Sequence, residues 1–127
     1  PHRFDRIYIA SNYSKYSDDG GKTWTPVNAK YKHVDDHAMA FHPTNKDFLL
    51  IGSDGGIYET WDGMDKWRFI SNMPITQFYK IAVDDAEPFY YVYGGTQDNS
   101  SQGGPSRTTK KHGIKNNDWF LILDWDY

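Results

Sequence analysis

The chain has no cysteine among its 127 residues, which excludes disulfides, thiol nucleophiles and thiolate metal sites and leaves the redox compartment unread. It also lacks any apolar run near the roughly 18 residues that a bilayer-crossing helix needs, so no membrane span is expected. Positive charge is in short supply: 14 Lys and Arg stand against 17 Asp and Glu, a net charge of −3. That balance carries no cationic footprint for a polyanion, and no nucleic-acid partner is expected. The one basic cluster, Arg107 with Lys110, Lys111 and His112, lies in Gly/Ser/Thr-rich sequence and reads as a solvated loop. No stretch of eleven or more residues keeps a helical period.

What is abundant is aromatic. Five Trp, ten Tyr and seven Phe accompany 11 Gly and six Pro, a mixture that favours short strands and tight turns, so the expected class is all-β. Ser17 to Trp24 reads SDDGGKTW, and a fainter copy ends at Trp67, 43 residues after Trp24. Ile9 and Ile51, Ser11 and Ser53, and Tyr16 and Tyr58 each match at a spacing of 42. At the same spacing Ala40-Phe41 meets Ala82-Val83 and Gly52 meets Gly94. Repeats of about 40 to 45 residues with several short strands each point to a β-propeller, whose units cannot bury their own faces alone. The expectation is therefore a partial propeller of about three four-stranded blades, in one region with unit boundaries 1–36, 37–78 and 79–127. Three blades do not close a ring. The chain begins at Pro1 without Met and stops at Tyr127 straight after an apolar run, so a fragment is expected, completed by further blades of a parent protein or by self-association.

The residue types of the repeated turn have a mechanical reading. Asp19 can accept bonds from the backbone N–H groups of the turn it opens, Gly20 and Gly21 supply positive φ, and Thr23 adds a hydroxyl bond. Trp24 then buries a ring at the start of the next strand. Ser17, Asp19, Gly21, Thr23 and Trp24 are thus expected to hold structure rather than a ligand. In the second copy Met64 replaces a Gly and Lys66 replaces the Thr, which predicts a looser turn.

Two polar clusters stand at strand ends. His33, Asp35, Asp36 and His37 come just before the strand HAMAFHP, where the start of an innermost blade strand would line a channel mouth. They form either a hydrogen-bonded network or a ligand site. Two His with one Asp can ligate a metal, but no third distant ligand stands out, and neither metal nor cofactor is expected. Gln97, Asp98 and Asn99 follow the strand YVYGG. They either terminate it by bonding their own backbone or face sugar hydroxyls, with Tyr91, Tyr93 and Trp119 stacking on a pyranose.

The sequence SDDGGKTW resembles the Asp-box, or bacterial-neuraminidase repeat, of sialidases, of two-propeller xyloglucan-degrading hydrolases and of the sortilin/Vps10 propeller. A broader resemblance runs through HVDDHAMAFHPTN, IGSDGGIYETWDG, TQFYKIAVD, YVYGGTQDNSSQGGPSRT and NNDWF, from about Ile7 to Phe120. Those segments are similar to bacterial secreted proteins of glycosyl hydrolase-like or sortilin N-terminal-like type. After Phe120 the resemblance leads one to expect a Gly-Asp-Gly turn, where LDWDY stands instead. The resemblance implies an extracellular or periplasmic, carbohydrate-active propeller that acts on or binds polysaccharide. The alternative it implies is a non-enzymatic sortilin-like propeller for protein or peptide ligands. Glycoside hydrolysis uses two carboxylates about 5 to 9.5 Å apart, for which Asp35, Asp36 and Asp98 are the candidates, with His33, His37, Gln97, Asn99 and Trp119 as ligand contacts. Because tandem propellers draw one carboxylate from each ring, this piece alone is expected to be inactive. A sialidase needs three clustered Arg, and Arg3, Arg6, Arg68 and Arg107 show no such motif.

Overall fold

A computed structural model describes residues 2–73 and 75–123. The chain divides into two compact units, before and after residue 74. Both are built of antiparallel meanders, in which each strand pairs with a neighbour in sequence. Among the described residues there are three open sheets, one of three strands and two of four.

In the first unit, β1 (Ile7–Ile9), β2 (Lys15–Ser17) and β3 (Thr25–Pro26) form the three-stranded sheet, and β4 (Asp36–Phe41), β5 (Leu49–Ser53), β6 (Gly56–Thr60) and β7 (Arg68–Phe69) form a four-stranded one. Alternation along β4 and β5 puts Met39, Phe41, Leu49 and Ile51 on one face. Leu49 and Ile51 are sealed, at 2% and 0% exposure. Tyr8 and Tyr16 of the first sheet pack on that core, and the Tyr8 ring lies 4.9 Å from Phe41. Val27, Tyr58, Met64 and Trp67 complete it. Each sheet alone could not dry these side chains; two face to face can.

In the second unit, β8 (Phe78–Val83), β9 (Tyr91–Thr96), β10 (Ser101–Pro105) and β11 (Phe120–Leu123) form one four-stranded sheet, with a single 3-10 turn at Asn116–Asp118. All six residues of β8 and all four of β11 are exposed, although they read FYKIAV and FLIL.

Several expectations are refined. The first sheet has three strands rather than four, and His2 to Arg6 make the turn ahead of β1 that Thr44 to Phe48 make ahead of β5. Strands β4 and β8 begin at Asp36 and Phe78, one residue ahead of the expected boundaries. The Tyr16–Tyr58 match also dissolves. Ile9 pairs with Lys15 whereas Ile51 pairs with Tyr58, so the first hairpin is one residue shorter and Tyr16 stands level with Glu59. The departure from the resemblance at Asp124 to Tyr127 lies outside the described residues.

Candidate functional site

The two repeated turns come first, because they fix the strands that carry the polar clusters. Asp19 Oδ1 accepts from the Lys22 and Thr23 N–H groups at 2.9 and 2.8 Å, and its Oδ2 accepts from the Thr23 hydroxyl at 2.7 Å. Ser17 Oγ donates to Asp19 and accepts from the Gly21 N–H. These bonds, the Thr23 hydroxyl first, hold the Asp19 carboxyl down at about 2. The second turn repeats the scheme: Thr60 Oγ1 donates to Asp62 and accepts from Met64 N–H, while Asp62 accepts from the Asp65 and Lys66 N–H groups. The bond missing is the one Thr23 makes, since Lys66 has no hydroxyl. The turn expected to be looser keeps the same backbone, with Gly63 and Met64 at φ 73° and 83° against 72° and 93° for Gly20 and Gly21. After each turn a Trp precedes the last strand. Trp67 is buried and donates its indole N–H to Asn28 O at 2.7 Å, whereas Trp24 is half-buried.

The His33–His37 cluster separates into two parts. Asp36 is enclosed: Lys32 Nζ donates to its two oxygens at 2.6 and 2.8 Å, and Ser14 Oγ donates to Oδ2 at 2.6 Å. Lys32 spends a further bond on His33 O. Asp36, a candidate acid or base by sequence, thus serves as an anchor between the two sheets of its unit. His37 is the opposite case, with a side chain 68% exposed and its Nε2 2.6 Å from Asp54 Oδ1. His33 lies flat against Gly55, where a Cβ would come within 2.5 Å of its own. Asp35 has φ 60°, a conformation costly outside glycine that is held by two backbone bonds, its N–H to Asn12 O and its carbonyl from Asp54 N–H. The start of β4 and the β5–β6 turn therefore bring His33, Asp35, His37 and Asp54 to one rim. Asp54 was not among the sequence candidates. The pairing of Asp36 with Ser53 carries it there, and the hairpin reading of HAMAFHP and FLLIGS contained that signal.

In the second unit Gln97, Asp98 and Asn99 occupy the β9–β10 turn. Gln97 N–H donates to Gln77 O just as Asp54 N–H donates to Asp35 O, so the two polar turns are counterparts in their sheets. Thr96 Oγ1 donates to Ser100 O and Gln102 Nε2 to Asn99 O, which leaves Asp98, exposed at φ 59°, at the tip. Trp119 does not join the tyrosines. Its ring covers Gly104, 2.6 Å from where a Cβ would stand. Tyr91 and Tyr93 stack on each other and meet Phe120 edge-on on the other face, since successive strand residues alternate. The Tyr93 hydroxyl is tied to Asp84 at 2.5 Å.

No group of three or more His, Asp or Glu among the described residues could hold a metal ion. Two clefts open in the first unit. One, of about 340 Å³, is lined by His2, Arg3, Arg6, Tyr8, Lys46 and Asp47 among others. Asp18 raises the Arg6 guanidinium above its ordinary value there and is itself lowered by that bond. The other, of about 480 Å³, lies along β6 and β7. Neither is lined by His33, Asp35 or His37. No helix is long and apolar enough to cross a membrane among the described residues. No protein-family model matches the chain, and comparison with curated proteins gave no match.

Proposed function

We propose that the chain supplies blades to an Asp-box β-propeller that binds polysaccharide outside the cell, and that its own residues bind rather than cleave. The observation that carries this is the exposed rim at the start of β4, where the His37–Asp54 pair stands at 2.6 Å beside His33. Imidazole and carboxylate in mutual contact give a donor and an acceptor at fixed spacing, the arrangement that vicinal sugar hydroxyls satisfy. Serial meanders, a Trp before the last strand of each sheet and the face-to-face packing of the first two sheets support the propeller. The apolar, exposed β8 and β11 fit a blade that rests against neighbours. Against catalysis by this chain alone stands the sealing of Asp36 by Lys32 and Ser14.

Affinity electrophoresis of the full chain through gels cast with neutral β-glucans, mannans and pectins tests the proposal. Retardation by at least one polysaccharide, weakened by His37→Ala with Asp54→Ala and without release of reducing ends, is expected. Equal mobility in every gel would sink it, and reducing ends released in proportion to enzyme concentration would replace binding by hydrolysis.

A further inference from the structure

Among the described residues Trp61 is the largest exposed ring, and it stands in a place where the repeat does not require one. It fills the second position of the second turn, where the first turn has Asp18, and it is 61% exposed. One face leans on Phe48, with ring centroids 4.1 Å apart, so the indole is braced rather than loose. Beside it the 480 Å³ cleft runs past Glu59, Asp62, Lys66, Trp67 and Arg68. Glu59 Oε1 accepts from Arg68 Nε at 2.5 Å, and the Arg68 side chain remains 76% exposed. Two carboxylates and two cations cancel along this groove, which disfavours a strongly charged occupant. A braced aromatic face next to planar polar groups with donors in excess is the chemistry that takes a pyranose: C–H groups of one sugar face on the ring, equatorial hydroxyls on the polar wall.

We infer that this cleft is a second glycan subsite, remote in sequence from His37, that takes a neutral pyranose chain with Trp61 as its stacking platform and Arg68 and Lys66 as hydroxyl donors. The inference rests on the polysaccharide reading above. Its occupant is an uncharged oligosaccharide rather than an acidic glycan, because the groove's own charges are balanced.

Titration of the full chain with cellohexaose, followed by the indole N–H resonance of Trp61, is the test. Saturable movement of that resonance is expected, with affinity about tenfold weaker in Trp61→Ala and within about threefold of native in Trp61→Phe, which keeps a ring for stacking. Should Trp61→Ala not fold, the native resonance and the Phe variant decide the matter. Native-like affinity in folded Trp61→Ala, or cellohexaose binding with the Trp61 resonance unmoved, overturns this subsite and leaves polysaccharide binding elsewhere on the chain standing. Failure of the native chain to bind any neutral or acidic oligosaccharide overturns both. A groove that binds tetra-alanine but no sugar, with the Trp61 resonance shifting, belongs to a peptide and overturns the glycan assignment.

Discussion

The Lys32 ammonium lies within 2.8 Å of both oxygens of Asp36, four residues along the chain, and the two side chains are 2% and 1% exposed. Buried charges are costly to dehydrate, so such a pair persists only where each partner answers the other and the leftover hydrogen-bonding capacity is met. Ser14 Oγ and His33 O meet it here. Removal of either charge strands its mate, and Asp36→Leu or Lys32→Met alone is expected to cost about 3–5 kcal/mol in urea unfolding of the full chain. The double variant Lys32→Met/Asp36→Leu should cost much less than the sum. A double variant as unstable as that sum would show that the pair is not coupled.

Acid is expected to loosen the first hairpin only below the range in which an ordinary carboxylate takes up its proton. Hydrogen bonds from Thr23, Ser17 and Lys22 lower Asp19 to about 2 in the folded chain from an ordinary value of 3.8. A group depressed on folding adds stability that is complete above its unfolded value and is lost as pH falls through the folded one. Melting temperature should therefore fall as pH drops from about 4 to about 2. Asp19→Asn should be less stable at pH 7 and show a shallower slope across that window; parallel slopes for the two proteins would contradict the assignment.

The second turn offers a gain. Lys66→Thr places a hydroxyl where Thr23 stands in the first turn, within reach of Asp62, and should raise the melting temperature. Met64→Gly should do the reverse. Relief of a left-handed backbone is worth about 1–2 kcal/mol, but loss of a side chain that is 5% exposed in the core costs about 2–5 kcal/mol. A net loss of about 1–3 kcal/mol is expected from those opposed terms by denaturant unfolding, and a stabilised Met64→Gly would refute the packing role.

Gly104→Ala tests the second unit. The new methyl would meet the Trp119 ring at 2.6 Å, so the indole must leave the strand or the strand must bow. Overpacking of this kind costs about 1–3 kcal/mol. Near-ultraviolet circular dichroism should lose intensity in the Trp bands, while Gly52→Ala, whose Cβ meets nothing within 4 Å, should leave the spectrum unchanged.

Strands with strong side chains were legible from sequence: HAMAFHP, FLLIGS, IYETW, FYKIAV and YYVYGG all lie in or around strands. The turn at Ser17 to Trp24 was legible down to the partners of its Asp. The strand Ser101–Pro105 was not, since Ser, Gln, two Gly and Pro have poor strand propensity. It is a strand because β9 and β11 pair with it on either side and because its glycines admit the rings of Trp119 and Phe120. At the candidate site His33 and His37 could be singled out, whereas for Asp36 the choice between a hydrogen-bonded network and a ligand site was left open. Polar type is visible in sequence, but a burial partner such as Lys32, itself an ordinary-looking surface residue, is not. The false Tyr16–Tyr58 match has the same origin. A one-residue difference between hairpins leaves spelling similar and shifts the matched residues to opposite faces of their strands.

Met64 at φ 83° bears on how such turns diverge. The backbone there is dictated by the oxygens of Thr60 and Asp62, strongly enough to hold a long side chain in glycine's conformation. A pattern that insists on glycine at that place passes over Thr60 to Trp67, while one built on a hydroxyl followed two residues later by a carboxylate finds both copies. Degenerate spelling in further repeats of this kind should accordingly accumulate at the glycines first and at the acceptors last.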